Sequence, residues 1–364
     1  MSKAAELAAL IGGQQAQGNR NLIINGAMTV DQRNSGSAVS APHNTYTLDR
    51  LNVYQSGDGA YSVQQVSDVV PDGFANSAKI ACTTADTNGF GANDYYMLTH
   101  NFEYNQTRSL EFGTSSAKQV TLSFYVRSNL TGTFSGALES GDGGRHYVFE
   151  YTINSANTFE RKSITIPGDT SGTWTGTFNA TGMKIRLALA LGANYDGTAG
   201  TWGTDESYGS TNQTNFFSST SNVFYITGLQ LEIGGVATPF EHRSYSDELA
   251  RCQRYTYIMS SSTSSATTEF INGAAYSASQ VNAGIDLPVT MRATPTVTYG
   301  NDTGAYRFYR AGSNDAFDTL VNDNPTNLHL QFAGTAGLSH TSGVAGSVQL
   351  RYADGAFVKA DAEL

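Results

Sequence analysis

Charge is scarce in this chain. Asp, Glu, Lys and Arg make up 14% of its 364 residues, against roughly a quarter in ordinary globular proteins. The net charge of −10 lacks the basic footprint that nucleic-acid binding needs, so no nucleic-acid partner is expected. Cysteine is almost missing: Cys82 and Cys252 are the only two, which excludes a disulfide framework and a CxxC metal motif. Long apolar runs are absent. Leu187–Leu191 follows Arg186 and falls far short of the roughly 20 residues that cross a bilayer, so no membrane insertion is expected. Met1–Ile11 carries Glu6 and no cleavage site, so no signal peptide is expected. The six histidines show no HExxH spacing, and neither a GxSxG elbow nor a P-loop occurs.

What the chain has instead is Tyr (20), Phe (18) and Gly (38), with Ser, Thr and Asn as its main polar residues. That mixture suits strands and tight turns, and its aromatic content argues against disorder. Period-two alternation is clear in Val120–Arg127 and in Met183, Ile185, Leu187, Leu189 and Leu191. Further strands are expected at Asn19–Met28, Leu51–Tyr54, Tyr61–Val66, Ala78–Thr83, Tyr147–Ile153 and Phe159–Ile166, the last two joined as neighbours through a short turn. Many short strands with polar turns indicate an all-β chain built as a sandwich or jelly roll.

One stretch, Val223–Tyr257, reads as strand, Gly234-Gly235 turn, extended exit at Pro239, capped helix and new strand. Tyr225, Thr227, Leu229, Leu231 and Ile233 share one face by alternation, opposite Gln230 and Glu232. Ser244 or Ser246 caps a helix whose first turn holds Asp247 and Glu248, where the helix dipole favours acids. A boundary is therefore expected here. Residues 1–18 form a short N-terminal helix, 19–243 a jelly-roll domain, 244–256 a linker helix and 257–364 a smaller C-terminal β-sandwich. In the last, strands are expected at Tyr255–Met259, Leu287–Met291, Thr296–Tyr299, Leu328–Phe332 and Ser347–Tyr352, closed by Gly355–Leu364, with Ser260–Thr268 as a polar linker.

The glycine-rich segment 192–222 is the longest candidate loop, and long loops often carry function. Trp174, Tyr195, Trp202 and Tyr208 lie in loop-rich sequence. Flat rings there can stack on sugar faces, while neighbouring Asn and Asp bond hydroxyls; the competing reading is that the rings fill a core. Asp196, Asp205 and Glu206 offer oxygen ligands, so a structural calcium is open and no other cofactor is expected. Ser140–Arg145 has the look of a calcium-friendly turn but lacks the EF-hand pattern. Glu103, Glu150, Glu160, Asp205 and Glu206 could supply a carboxylate pair for glycoside hydrolysis, since the separation that this chemistry needs is set by the fold.

Several stretches together resemble a family of bacteriophage tail-fibre and related virion proteins. They are Asn-Arg-Asn-Leu-Ile-Ile-Asn-Gly-Ala-Met (19–28), Tyr-Thr-Leu-Asp-Arg (46–50), Val-Thr-Leu-Ser-Phe-Tyr-Val-Arg-Ser (120–128), Thr-Ile-Pro-Gly-Asp-Thr-Ser-Gly-Thr-Trp (165–174), Gly-Leu-Gln-Leu-Glu-Ile-Gly through Cys-Gln-Arg-Tyr (228–255) and Ala-Asp-Ala-Glu-Leu (360–364). Leu51 departs from the family, which has Trp after Tyr-x-x-Asp-Arg. The resemblance implies a carbohydrate-binding-module-like jelly roll followed by a small β domain, in a trimeric fibre held to the virion by its N-terminus. On this reading the protein is a non-enzymatic receptor-binding virion protein, made in the host cytoplasm and placed in the tail. Leu7, Leu10 and Ile11 would dock on other tail proteins, and Leu249 and Cys252 on the linker helix would pack between subunits of a homotrimer. A host cell-surface polysaccharide would be the target. A capsid decoration protein or head fibre and a polysaccharide depolymerase are the alternatives.

Overall fold

The computed structural model describes residues 19–86, 90–260, 269–300, 302–310, 312–322, 324–335, 337–351 and 357–364. The expected N-terminal helix, with Leu7, Leu10 and Ile11, and residues 261–268 of the polar linker lie outside them. The chain is all-β and forms two compact units. One comprises residues up to Thr29, Ala38–Thr45 and Asn52–Arg243; the other comprises Val30–Ser37, Tyr46–Leu51 and Ser244–Leu364. The chain thus does not divide at a single point: two short segments ahead of residue 52 belong with the C-terminal unit.

The first unit has two antiparallel sheets. One runs Val39–Ser40, Ala60–Val66, Ser77–Thr84, Val223–Ile233, Val120–Ser128 and Glu160–Ile166. The other includes, in order, Trp202–Gly203, His146–Ile153, Gly132–Ser140, Thr181–Leu191, Tyr95–Glu103 and Leu51–Ser56. Strands alternate their side chains across the sheet, so Val120, Leu122, Phe124 and Val126 of one sheet enter the same core as Phe134, Leu138 and Ile153 of the other, all fully buried. Phe124 meets Tyr151 edge-on at 5.0 Å between centroids, and Phe134 lies 5.6 Å from Phe224.

Three expectations are corrected. His146–Ile153 and Glu160–Ile166 are not paired neighbours: the first bonds to Gly132–Ser140 and the second to Val120–Ser128. The turn at 154–159 therefore carries the chain from one sheet to the other. Asn19–Met28 is not a strand, because Asn25 (φ 59°) and Met28 (φ 56°) take left-handed backbone. It runs beside Val223–Ile233 through Asn21, whose side chain donates to the Leu229 carbonyl (2.9 Å) and accepts from the Leu231 N–H (3.1 Å). Position 26 is glycine because a Cβ there would fall on the Leu229 carbonyl oxygen. Third, the alternation across Val223–Ile233 breaks. The register with Val120–Ser128 shifts between Thr227 and Gln230, at Gly228 with φ +65°. Phe224 and Ile226 face the core before this bulge, Leu229 and Leu231 after it, and Ile233 is exposed. An extra residue in a strand changes the face of all that follow.

Gln230 and Glu232, on the opposite side, fasten the exit. Glu232 accepts from the Thr238 N–H (2.8 Å) and hydroxyl (2.6 Å), and Gln230 accepts from the Glu241 N–H (2.8 Å).

The second unit has a three-stranded sheet, Thr256–Ser260, Phe357–Asp361 and Thr296–Tyr299. Its larger sheet runs Ser313–Phe317, Tyr306–Arg310, Ala345–Leu350, Glu269–Ser277, Gln280–Asp286, His329–Gly334 and Leu320–Asn322. Their core holds Met259, Ile271, Tyr306, Phe308, Phe317, Leu330, Phe332, Val348 and Val358. Leu287–Met291, expected as a strand, is irregular; its ends bond to the Leu328 and Asn327 carbonyls. The helix is Tyr245–Gln253, capped by Ser244, whose Oγ accepts from the Asp247 N–H at 3.2 Å. Cys252, expected at a subunit contact, is 1% exposed and faces the interior of its own unit. Burial pushes its thiol well up. Leu249 is half-buried.

Candidate functional site: a polar groove on the jelly roll

In His146–Ile153 the residues Tyr147, Phe149, Tyr151 and Ile153 point to the core, which leaves His146, Val148 and Glu150 on the outer side of the sheet. The segment 192–222 crosses that side and is pinned to it. Ser210 N–H donates to Ser135 Oγ (3.0 Å), Gln213 Oε1 accepts from both Ser135 N and Oγ (2.7 Å each), and Gly200 N–H donates to the Val148 carbonyl (2.9 Å). Between strand and loop lies a groove of about 690 Å³ whose lining includes His146, Glu150, Asp196, Asp205, Ser210 and Asn212. Its walls are otherwise mostly Gly, Ala, Thr and Ser.

The groove floor stands on a buried ionic cluster. Glu139, paired across the strands with His146, takes the Lys184 ammonium at 2.7 Å and the Arg186 guanidinium in a short bond. Arg186 also lies over the rings of Tyr208 (4.6 Å) and Tyr54 (5.0 Å). Burial opposes the charge on Glu139, but Arg186 and Lys184 outweigh it and hold the carboxyl below its usual range. Burial also dominates at His146 and lowers its pKa, the pull of Glu139 4.0 Å away being too weak to reverse it. His146 is therefore a neutral imidazole near neutral pH. It is 2% exposed, and neither ring nitrogen has a hydrogen-bond partner; the hydroxyl of Ser210, a residue 3% exposed, has none either. Buried polar atoms are ordinarily bonded, and these three, on residues that line the groove, are not.

The aromatic candidates are placed differently. Tyr195 and Tyr208 stack on each other at 4.8 Å and 13°, and the Tyr208 hydroxyl donates to Glu206. Trp174 and Trp202 meet edge-on at 5.6 Å, with Phe112 within reach of both. Their indole N–H groups donate to Asp169 (2.9 Å) and to the Pro167 carbonyl (2.8 Å). Asp169 is buried and chelated by Arg145 at 2.7 and 2.8 Å. None of the four rings lines the groove; Trp174 lines a smaller cavity of about 430 Å³ with Arg108 and Glu111. Asp196 and Asp205, read as calcium candidates, do line the groove, while Glu206 serves Tyr208. Among the described residues no group of three His, Cys, Asp or Glu side chains is placed to hold a metal ion. The Ser140–Arg145 turn is closed internally, Asp142 accepting from Ser140 Oγ (2.5 Å) and Gly144 N (3.0 Å). Of the carboxylates considered for glycoside chemistry, Glu150 and Asp205 share the groove. His146, Ser210 and Asn212 carried no sequence signal, because nothing in a single strand or loop says that the two will face each other.

No family model matches the chain, and no curated protein does. Solved structures do. A tailspike protein 4 enzymatically active domain of bacteriophage CBA120 is similar over 60% of this chain and 22% of its own, at 12% identity and TM-score 0.33. A family 11 carbohydrate-binding module from a cellulosomal cellulase of Clostridium thermocellum is similar over 57% of this chain and 99% of its own, at 15% identity and TM-score 0.28. An arabinose-bound α-L-arabinofuranosidase is similar over 65% of this chain and 30% of its own, at 11% identity and TM-score 0.34. These likenesses concern fold and bring no activity to this chain. They do correct one expectation. The sequence reading expects a non-enzymatic protein, but structures of this likeness include an enzymatically active tailspike domain and a glycosidase, and that expectation is withdrawn.

Proposed function

We propose that this chain is a glycan-binding subunit of a phage virion, and that the groove beside His146 is where a host surface polysaccharide is held. The observation that carries the reading is the pair of buried, unpartnered groups, His146 and Ser210, at a concave polar groove. A neutral imidazole donates through one nitrogen and accepts through the other, and a hydroxyl does both. A sugar diol offers the same two roles. Glu150, Asp196 and Asn212 add acceptors and donors for further hydroxyls. The virion part of the reading rests on the motif resemblance, with Leu7, Leu10 and Ile11 as the tail-docking residues.

His146→Ala and Ser210→Ala are each expected to weaken binding of host surface polysaccharide by roughly tenfold, the loss of one buried hydrogen-bonding group. Calorimetry on the folded variants checks this. Unchanged affinity in both would remove the groove from the reading.

The protein is further proposed to act as a homotrimer, since three copies raise a weak sugar affinity through effective concentration. Light scattering at micromolar concentration is expected to give three times the chain mass, and Leu249→Asp to reduce it. A monomer in the unaltered protein would refute this. Imaging of virions carrying the labelled chain distinguishes a tail fibre from a head fibre or decoration protein.

Cleavage of the bound glycan is a second reading, favoured by the meeting of Glu150, Asp196 and Asp205 in one groove. Release of oligosaccharide from host polysaccharide, lost in Asp205→Asn, would establish it.

A further inference from the structure

Taking the groove as a glycan site, we infer that it selects sugars bearing a free protonated amine and rejects uronic and sialic acids. Three carboxylates, Glu150, Asp196 and Asp205, line it, and no Lys or Arg among the described residues does. Lys184 and Arg186, the cations beneath its floor, are both committed to Glu139. His146 adds no positive charge, because burial keeps it neutral. An acidic cluster alone would say little. Here the same groove holds buried His146 and Ser210 with open hydrogen-bonding positions, which mark it as a place for a polar ligand independently of its charge.

A concave site lined by one sign of charge focuses its field and concentrates ligands of the opposite sign. A sugar carboxylate would meet three like charges. A sugar ammonium would find acceptors on several sides, in charge-assisted hydrogen bonds of about twice ordinary strength. Asp196 fits this assignment. Burial opposes the charge on its carboxyl, and an ammonium beside it would favour that charge.

The test compares four short oligosaccharides on the full chain by calorimetry: a glucosamine oligomer at a pH where its amines are charged, its N-acetylated counterpart, a neutral glucan oligomer and an oligouronate. The glucosamine oligomer is expected to bind about tenfold tighter than the N-acetylated one, an advantage of one good charge contact, and the oligouronate not to bind. Added salt narrows the ratio. In Asp196→Asn/Asp205→Asn the ratio between the first two is expected to fall toward one, with circular dichroism confirming the fold. Equal affinity for the N-acetylated or uronate oligomer in the unaltered protein overturns the selectivity alone. A ratio that survives the double substitution overturns the assignment to these carboxylates. Failure of all four to bind overturns the glycan reading together with it.

Discussion

Replacing Glu363 by alanine is expected to lower the unfolding midpoint of the C-terminal unit by roughly 10–20 °C, from a loss of about 3–5 kcal/mol. Glu363 bridges two arginines: Arg33 at 2.8 Å and the completely buried Arg50 in a shorter bond. The Arg50 guanidinium lies 3.6 Å from the centre of the Tyr255 ring, and Arg33 also reaches Asp361 at 3.4 Å. Asp49 accepts from Gln32 through both its oxygens at 2.7 Å. Arg292 closes the same corner by donating to the Ala362 and Glu363 carbonyls at 2.7 and 2.8 Å. Burial works against the charge on both arginines, but Glu363 together with neighbouring groups, Asp361 and Asp49 at Arg33 and Tyr255 and Tyr46 at Arg50, outweighs it and keeps each more firmly protonated than a free guanidinium. Removing the acid takes a shared counter-charge from two buried cations. That is the costly way to break a buried pair, whereas swapping both partners for apolar residues often costs little. Thermal unfolding followed by circular dichroism checks the prediction. The double variant Arg50→Met/Glu363→Met should be more stable than Glu363→Ala. A midpoint within about 3 °C of the unaltered protein, below the shift of one kcal/mol, would show that this network does not hold the unit.

Glu139 supports the second large effect. Glu139→Gln is expected to destabilise the jelly-roll unit by about 3–5 kcal/mol at neutral pH, because Arg186 is buried and loses its counter-charge. The loss should be pH-dependent with a definite sign. The folded-state pKa of Glu139 is depressed, so its stabilisation is complete above the unfolded value of about 4.3 and is lost as pH falls through the folded value. The stability difference between the unaltered chain and the Glu139→Gln variant should therefore shrink below about pH 4.3. His146 contributes on the same side: its folded pKa is lowered, so the unfolded chain binds more protons below about 6.5 and stability declines with acid there. Urea unfolding across pH checks both. A difference that stays constant to low pH would mean that folding does not shift the Glu139 carboxyl and that its ion pairs do not stabilise the unit. Because Glu139 lies under His146, Glu139→Gln is also expected to weaken glycan binding even where the unit stays folded.

Legibility in the sequence varies by element. Val120–Ser128 and Thr181–Leu191 are readable because their alternate side chains are apolar and buried. Tyr95–Glu103 and Gly132–Ser140 are not. They are central strands buried on both faces, and the outer face of such a strand shows Thr, Asn, Ser and Glu that read as loop chemistry. The Ser244 cap follows from local rules, while the bulge at Gly228 does not, since one glycine does not announce a register shift. The aromatic candidates fail as a groove lining for a physical reason. A long loop that must pack on a sheet uses its own rings to do so: Tyr195 and Tyr208 stack on each other, and Trp202 packs against Trp174 of an earlier segment.

Near-neighbour patterns in the chain are enough for the all-β class, the strands with clean alternation and the capped helix. These follow from periodicity and local capping. Three-dimensional packing was needed to join 30–37 and 46–51 to the C-terminal unit, and to bring Glu363 to arginines more than 300 positions away. Packing also put Glu150 of a strand and Asp196 and Asp205 of a loop into one groove with His146. Sheet pairing is a long-range choice, made by burying whole faces at once, and no local pattern in the chain records which strand will become whose neighbour.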